Sequence, residues 1–314
     1  MSEIFHQHVP VLLHEAVENL VISPSGVYID ATFGRGSHSQ AILDCLNKDG
    51  RLIAFDKDPE AIAYAKNKFA HDVRFSIFHS SYARMQMCLN EVGIVGEVQG
   101  ILFDLGVSSP QLDNPERGFS FSKDAKLDMR MDTTRGLDAA EFIATVEEKE
   151  LADILWQYGE EKFSRRIARA IVEIRETTPI KTTAQLAETI KRAIPKPKKY
   201  ADKHPATKSF QAIRIAINQE LVELEQGLDQ ALNALRINGR LAVISFHSLE
   251  DRIVKQFIKY HEKGEEVPRG LPIKSDVFKG KLKSIGKPIK PSSHEVDVNP
   301  RARSAILRIA EKLS

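Results

Sequence analysis

A short run of acceptor-bearing residues, Asp104 to Gln111, is the part of the chain whose residue types best suit chemistry. It reads Asp-Leu-Gly-Val-Ser-Ser-Pro-Gln and follows the apolar run 98–103, so it stands where a buried strand would end. Oxygen acceptors grouped in this way can take the N–H protons of an amine and direct the nitrogen lone pair at an electrophile. An ordinary turn into the next segment would explain the same residues, and the sequence leaves that alternative open.

A glycine turn, Gly34-Arg35-Gly36-Ser37-His38, is the second candidate, because it joins a predicted strand to a predicted helix. Glycine allows positive φ and close approach of a ligand to the backbone. A dinucleotide site would require a third glycine, where this chain has Ser39. The spacing acid-x-x-x-Gly-x-Gly from Asp30 to Gly36 instead resembles the first motif of methyltransferases that use S-adenosylmethionine (SAM). A tight turn without a ligand remains the alternative.

An acid, Asp56, ends the next predicted strand, Arg51–Asp56, 20 residues after Gly36. An acid at this point accepts hydrogen bonds from a ribose diol in nucleotide-binding folds. It therefore supports a cofactor that contains adenosine without choosing between a nicotinamide dinucleotide and SAM. The simpler interpretation is an acid that caps the following helix.

Other reactive side chains are less informative. Methylation of cytosine at C5 would require a thiolate, but Cys45 and Cys88 fall in predicted helices and are expected to be reduced core thiols. His247 ends the fifth predicted strand, where it could move a proton or simply belong to a helix cap. Phe119 and Phe121 could stack on a base, although core packing is the commoner fate of such rings. The histidines, cysteines and acids show no metal-binding spacing.

Strand and helix patterns alternate over the first 110 residues, which predicts a parallel α/β sheet. The alternation then gives way to helical segments, two of them opened by apparent capping boxes at Thr145-x-x-Glu148 and Thr182-x-x-Gln185. It resumes with one long helix over 209–235, ended by Gly239. We predict a Rossmann-like, doubly wound, mostly parallel sheet with an all-helical insertion after the fourth strand. The expected domains are 1–110, 111–206 and 207–314.

Charge is spread unevenly along the 314 residues, although the net value is only +2. Residues 251–314 hold 15 Lys+Arg against 8 Asp+Glu, and a lysine-rich edge runs from 191 to 208. Together with Arg301 and Arg303 before the last predicted strand, this favours a polyanionic partner, with a solvated surface as the alternative. The sequence has no apolar run of about 18 residues and no signal-peptide pattern, so we expect no membrane span and a cytoplasmic enzyme.

These motifs together resemble one family over almost the whole chain: the bacterial small-subunit ribosomal RNA cytosine-N4 methyltransferases, called RsmH or MraW. The most specific segments are DLGVSSPQLD, LDMRMD and SFHSLEDR. The other matching segments are HVPVLLHE, YIDATFGRGSHS, YGEEKFSRRIA, HPATKSFQAIRIAIN, VPRGLP and NPRARSAILRIAEK.

The resemblance implies a class I SAM-dependent methyltransferase that modifies the N4 amine of a cytosine in the decoding region of 16S rRNA, within the small subunit. It carries the family's cofactor contacts onto Gly36, Ser37, His38, Asp56, Tyr82, Asp104 and Gln111. Many members have phenylalanine at position 82 and glycine at position 37. If position 37 required positive φ, Ser37 would cost on the order of 1 kcal/mol.

We therefore expect SAM as cofactor, with Gly34 completing its loop, and 16S rRNA or the small subunit as partner. We expect no metal site, and the sequence leaves monomer and homodimer open. The residues expected to hold the amine are Asp104, Ser108, Ser109 and Pro110. Two other functions stay open: a nicotinamide-dependent oxidoreductase, which Ser39 and the Ser-Ser-Pro turn speak against, and a non-catalytic RNA-binding assembly factor.

Overall fold

The computed structural model describes residues 10–94, 96–195, 204–263 and 280–314. The chain folds into two units, one built on a sheet and one built from helices. The sheet unit comprises Met1–Gly106 and Leu221–Ser314, and the helical unit comprises Val107–Glu220.

The sheet unit is organised around seven strands. They are β1 (Val27–Asp30), β2 (Arg51–Asp56), β3 (Phe75–His79), β4 (Val98–Asp104), β5 (Leu235–Ser245), β6 (Leu282–Ser284) and β7 (Ile306–Lys312). Their order in the sheet is β3-β2-β1-β4-β5-β7-β6. The first five run parallel, whereas β7 is antiparallel to both β5 and β6. The prediction of a doubly wound, mostly parallel α/β sheet is confirmed.

Helices cover both faces of this sheet, which explains why the central strands read as continuous apolar runs. The helices are α1 (Leu13–Leu20), α2 (Ser37–Cys45), α3 (Pro59–Lys68), α4 (Met85–Glu91), α11 (Glu220–Ala234), α12 (Ser248–Lys263) and α13 (Ser293–Val298). One face packs against α4, α11 and α12 in a cluster that includes Phe55 and Phe103. The other packs against α1, α2 and α3 in a cluster that includes Leu20 and Tyr28.

The helical unit has its own apolar core, which includes Leu151, Ile167, Leu186 and Phe210. Its helices are α5 (Ser109–Asp113), α6 (Ala139–Thr145), α7 (Glu148–Gly159), α8 (Ser164–Thr177), α9 (Thr183–Ala193) and α10 (Thr207–Asn218). The unit therefore extends past the boundary expected at 206, because α10 contributes Phe210 and Ile213 to this core.

Several local predictions differ from the structure. The helix expected over 209–235 is two helices, because the backbone turns left-handed at Gln219 (φ 52°). Gly239 lies inside β5 rather than after a helix. Cys45 is exposed, so only Cys88 is the buried thiol that was expected.

The capping prediction is confirmed at Thr182, whose side chain and that of Gln185 form a reciprocal capping box. It is wrong at Thr145, which ends α6 instead of starting a helix. Phe121 packs edge-to-face on Phe210, with ring centroids 4.8 Å apart, and Phe119 is buried, so both rings are part of the packing. In the described part of the chain no helix is long and apolar enough to cross a membrane.

Candidate active site

The candidate site begins at the carboxyl ends of β1 and β4, which are neighbours in the sheet. The strand order reverses there: β2 and β3 follow on one side, and β5 on the other. In open α/β sheets the ligand crevice lies outside the strand ends at such a reversal. Asp30 ends β1 and Asp104 ends β4, so two carboxyls stand at the point where a ligand is expected.

The glycine turn after β1 is shaped for close approach. Gly34 and Gly36 have φ of 55° and 69°. A Cβ at Gly36 would lie 2.6 Å from the Phe33 ring, so only glycine fits that position. Ser37 is the first residue of α2 and is not among the residues with positive φ, so its backbone carries none of the strain that a left-handed conformation would bring.

The start of α2 offers backbone donors. Among the described residues no side chain caps this helix. The first N–H groups of a helix have no intrahelical partner, and the helix dipole favours a negative group beside them. The turn from Gly36 to Ser39 is therefore suited to a carboxylate, such as the one on the amino acid end of SAM.

Asp56 ends β2 on the next strand along the sheet. Its Oδ2 accepts the Gly34 N–H at 2.7 Å, and its Oδ1 accepts the Asp58 N–H at 2.8 Å. These bonds fix the carboxyl against the glycine turn. Burial raises the pKa of Asp56 to about 6, and the hydrogen bonds offset part of that rise. The acid is held where a ribose diol could donate to it.

Among the residues predicted for the site, Asp104 has a buried carboxyl oxygen without a donor in the described chain and a strongly raised pKa. Its N–H donates to Thr32 Oγ1 at 2.6 Å, which ties β4 to the turn after β1. Its Oδ1 is buried without a hydrogen-bond partner within the described part of the chain. Burial, followed by the negative charges of Asp30 and Glu250, raises its pKa well above the usual range. A buried acceptor without a donor is costly unless a ligand supplies one.

His38 faces this carboxyl. Its Nδ1 lies 3.5 Å from Asp104 Oδ2, and its Nε2 lies 3.3 Å from the Val11 carbonyl oxygen. A carbonyl can only accept, so we assign the proton of the neutral ring to Nε2. His38 Nδ1 is then an acceptor that faces the Asp104 carboxyl. The imidazole and the carboxyl attract each other when one of them carries a proton that the other can accept.

Two residues at the site were not among the predicted contacts. Asp30 is fully buried, and its carboxyl accepts the Ser39 hydroxyl at 2.6 Å and the Thr32 N–H at 3.2 Å. Burial raises its pKa to about 6. The acid-x-x-x-Gly-x-Gly spacing already pointed to Asp30. Nothing in the sequence pointed to Thr32, because its role depends on the pairing of β1 with β4.

Tyr82 follows the carboxyl end of β3. Its ring packs edge-to-face on Phe103, with centroids 5.2 Å apart. Gly227 on α11 makes room for it, since a Cβ there would lie 2.5 Å from the Tyr82 ring. The neighbouring ion pair between Lys57 and Glu223, at 2.8 Å, also connects the end of β2 to α11.

The remaining predicted residues, Ser108 to Gln111, belong to the helical unit. Ser108 caps α5: its side chain accepts the Gln111 N–H, while Gln111 Oε1 accepts the Ser108 N–H at 3.0 Å. Ser109 and Gln111 are buried, and Pro110 lies in the first turn of α5. Ser108 therefore also has a local structural role, as the cap of α5.

The end of β5 places one more acid near Asp104. Glu250 is buried, and its Oε2 accepts the Phe246 N–H at 2.8 Å. His247 lies beside it, with Nε2 3.1 Å from Glu250 Oε1. Glu250 thus supports the start of α12. Among the described residues no group of three or more His, Cys, Asp or Glu side chains is arranged to hold a metal.

Comparison with known proteins gives consistent matches. The family model described as the MraW methylase family matches residues 5–313. A protein named Ribosomal RNA small subunit methyltransferase H from Legionella pneumophila (strain Paris) is 54% identical over 98% of this chain and 99% of its own. Its namesake from Alteromonas mediterranea is 55% identical over 98% of both chains. A solved rRNA methylase from Streptococcus thermophilus aligns over 96% of this chain and 94% of its own at 12% identity (TM-score 0.40).

Proposed function

The chain belongs to the MraW methylase family, and from that premise we propose that it methylates the N4 amine of a cytosine in the decoding region of 16S rRNA, within the small subunit. Its cofactor is S-adenosyl-L-methionine. The names of the relatives support the small-subunit rRNA substrate. The Asp104–Gln111 motif supports an exocyclic amine as the acceptor of the methyl group.

The observation that carries the proposal is the buried, unpaired Oδ1 of Asp104 at the switch between β1 and β4. The lone pair of a cytosine amine is delocalised into the ring, so the nitrogen must pyramidalise before it can attack. A carboxylate that accepts an N–H proton favours that geometry and directs the lone pair. Oδ1 of Asp104 lacks a donor within the described chain, and an amine would supply one.

The neighbouring residues fit the cofactor. The N–H groups at the start of α2 would bind its carboxylate, and Asp56 would accept hydrogen bonds from its ribose. When bound, the cofactor supplies a methyl group on a positively charged sulfur. Methylation of the amine would leave one proton to be removed, which side chains beside the amine would accept.

His38 and Asp104 are placed to receive that proton. Asp104, with its raised pKa, is a stronger base than an ordinary carboxylate when it is ionised. His38 Nδ1, 3.5 Å from Asp104 Oδ2, can share the proton before it passes to solvent. We include Ser108, Ser109 and Pro110 in the proposed amine site, and Gln111 in the cofactor site, on the sequence motif.

The test is methyl transfer from labelled SAM to small subunits, run beside free 16S rRNA. Mass mapping of subunits from cells that lack the protein, and from cells in which it is restored, identifies the modified nucleotide. One N4-methylated cytosine in the decoding region, present only with the protein, is the expected result. SAM binding without transfer to either substrate would favour an assembly factor, and binding of NAD in place of SAM would favour an oxidoreductase.

A further inference from the structure

The helical unit contains one helix whose first charges run against its dipole. The first turns of α8 carry Arg165, Arg166 and Arg169, preceded by Lys162, with no acid in the first turn. Its last two turns carry the acids Glu173 and Glu176. A helix dipole favours acids at the start and cations at the end, so the cations at the start of α8 oppose stability, whereas Arg175 in its last turn, beside Glu173 and Glu176, follows the rule.

Three other helices follow the ordinary rule. In the helical unit, α7 begins with Glu148 and Glu150, and α9 ends with Lys191 and Arg192. In the sheet unit, α3 begins with Glu60 and ends with Lys66 and Lys68. A local departure from a rule that these other helices of the chain obey is expected at functional positions rather than in scaffold.

The cations of α8 are exposed, while its apolar residues face the core. Ser164, Ile167, Ala168 and Ile171 are buried on one side, and Arg165, Arg166 and Arg169 lie on the opposite side. Arg169 is a surface neighbour of both other arginines, because it lies at i+4 from Arg165 and at i+3 from Arg166.

Among the described residues, Arg165 and Arg166 make no ion pair or side-chain hydrogen bond, and Arg169 has a single distant partner, Glu148 at 3.8 Å. Arg175 near the other end differs, because its Nη1 donates to the Ile143 and Val146 carbonyls at 2.7 and 2.6 Å. Arg175 therefore has a structural role, and the exposed group does not.

We propose that Lys162, Arg165, Arg166 and Arg169 form an RNA-phosphate surface, which we call the α8 basic face. Arg165 and Arg166 have no acidic partner among the described residues and Arg169 only a distant one, and clustered arginines of this kind fit phosphates, which they can bind through two hydrogen bonds at once. Phe163, 37% exposed at the start of α8, adds a ring of the kind on which unpaired bases stack. The inference deepens the proposed function, on which it rests, by assigning a surface of the helical unit that binds substrate RNA.

The test compares two charge-matched double variants of the full chain. One is Arg165→Gln with Arg166→Gln in the α8 basic face. The control is Lys66→Gln with Lys68→Gln, which removes two exposed cations from the end of α3, where the dipole favours them. Binding of a short single-stranded RNA is measured over a range of salt concentrations, together with SAM binding and the melting temperature.

The α8 variant is expected to bind RNA roughly tenfold more weakly, and the slope of log K against log salt should fall by about 1.4, or 0.7 for each lost phosphate contact. Its melting temperature should stay unchanged or rise, and its SAM affinity should not change. The control should bind RNA as wild type does and should melt no higher than wild type. Loss of RNA binding accompanied by a lower melting temperature would indicate a structural role and overturn the inference.

An unchanged salt slope in the α8 variant would also overturn it. Failure of the proposed function looks different: the wild-type protein would then transfer no methyl group to small subunits, whatever the two variants do. An equal loss of RNA affinity in both double variants would mean that RNA binding depends only on the total charge of the protein. This result too would contradict a specific α8 basic face.

Discussion

The acids at the strand ends of the sheet unit differ from Asp128 of the helical unit in the direction in which their pKa values are shifted. In the sheet unit, burial is the first cause that raises the pKa of Asp30, Asp56 and Asp104. In the helical unit, burial also raises the pKa of Asp128, but two bonds to the Arg130 guanidinium, at 2.8 and 2.9 Å, together with the Arg130 backbone N–H and the charges of Arg130 and Lys126, outweigh burial and lower it. The difference lies in the partner: Asp128 is paired with an arginine, whereas Asp30 and Asp56 accept bonds from backbone or hydroxyl groups, and Asp104 Oδ1 has no donor among the described residues.

This contrast separates scaffold from site. An acid paired with arginine gains stability from its charge, and its removal leaves the arginine without its partner. An acid that is buried without a cation lowers the unfolding free energy when it is ionised. Such acids are typical of functional sites, where a ligand interacts with them. Arg214 and Glu220, joined by two bonds of 2.8 Å, repeat the scaffold pattern in the helical unit.

The strongest test of the contrast is Asp104→Ala, with Asp104→Asn as the variant of closest shape. Methyl transfer to small subunits should fall by about 10²–10³-fold or more in both, because alanine removes the acceptor for the amine and asparagine removes its charge and its capacity to take a proton. The unfolding free energy should be unchanged or higher, since an uncompensated buried acid is removed. The checks are single-turnover rates and urea unfolding. Turnover close to wild type in a folded Asp104→Ala protein would refute the role of this carboxyl.

The opposite outcome is expected for Asp128→Asn in the helical unit. Arg130 would lose a charged partner bound through two hydrogen bonds, and the unfolding free energy should fall by about 2 kcal/mol. SAM affinity should be retained in protein that remains folded. Urea unfolding and isothermal titration measure the two quantities. Unchanged stability would mean that the ion pair is not the scaffold element that its geometry indicates.

A third test uses pH. Asp30 and Asp56 have native pKa values of about 6, above the roughly 3.9 of an unfolded aspartate, so the native state binds more protons between these values. Their contribution to stability is therefore most favourable below about pH 4 and is lost as the pH rises through about 6. Asp128, with its lowered pKa, contributes stability above about pH 4 that is lost as the pH falls further.

Asp56→Asn isolates one of these acids. The variant should show a smaller decrease in unfolding free energy than wild type when the pH rises from about 4 to about 6, as measured by urea unfolding. Its SAM affinity should be about tenfold weaker at neutral pH, because the ribose loses a charged acceptor. Identical pH dependence in the two proteins would show that Asp56 does not titrate in this range.

The sequence predicted the sheet unit well because its signals are local. Apolar runs ending in Asp56 and Asp104 mark strand ends, and parallel strands bring those ends to one edge of a sheet. The acid-x-x-x-Gly-x-Gly motif includes Asp30, but the sequence did not predict a cofactor contact for it. The bond from Asp104 N–H to Thr32 Oγ1 could not be predicted, since it requires the register between β1 and β4.

Predictions for helix ends were less successful, because short polar motifs compete with tertiary packing. Thr145 has the spacing of a capping box, yet the helix that follows begins at Glu148, and the capping box of α6 is formed by Asp138 and Glu141 instead. Gln219 adopts a left-handed conformation in the middle of a continuous apolar pattern. No local signal marks that break. The break separates α10, which packs in the core of the helical unit, from α11, which packs against the sheet.

The smallest expected effect concerns Ser37, the residue where this chain departs from the glycine common in the family it resembles. Because Ser37 is the first residue of α2 and lacks positive φ, glycine relieves no strain there. Ser37→Gly should change SAM affinity by less than about twofold and lower the unfolding free energy by roughly 0.5–1 kcal/mol, through the larger backbone entropy of glycine. Gly36→Ala is the matched contrast, since its added Cβ would contact Phe33 in a backbone with φ 69° and should weaken SAM binding strongly. Isothermal titration distinguishes the two, and tighter binding or higher stability in Ser37→Gly would mean that the turn is strained at Ser37 after all.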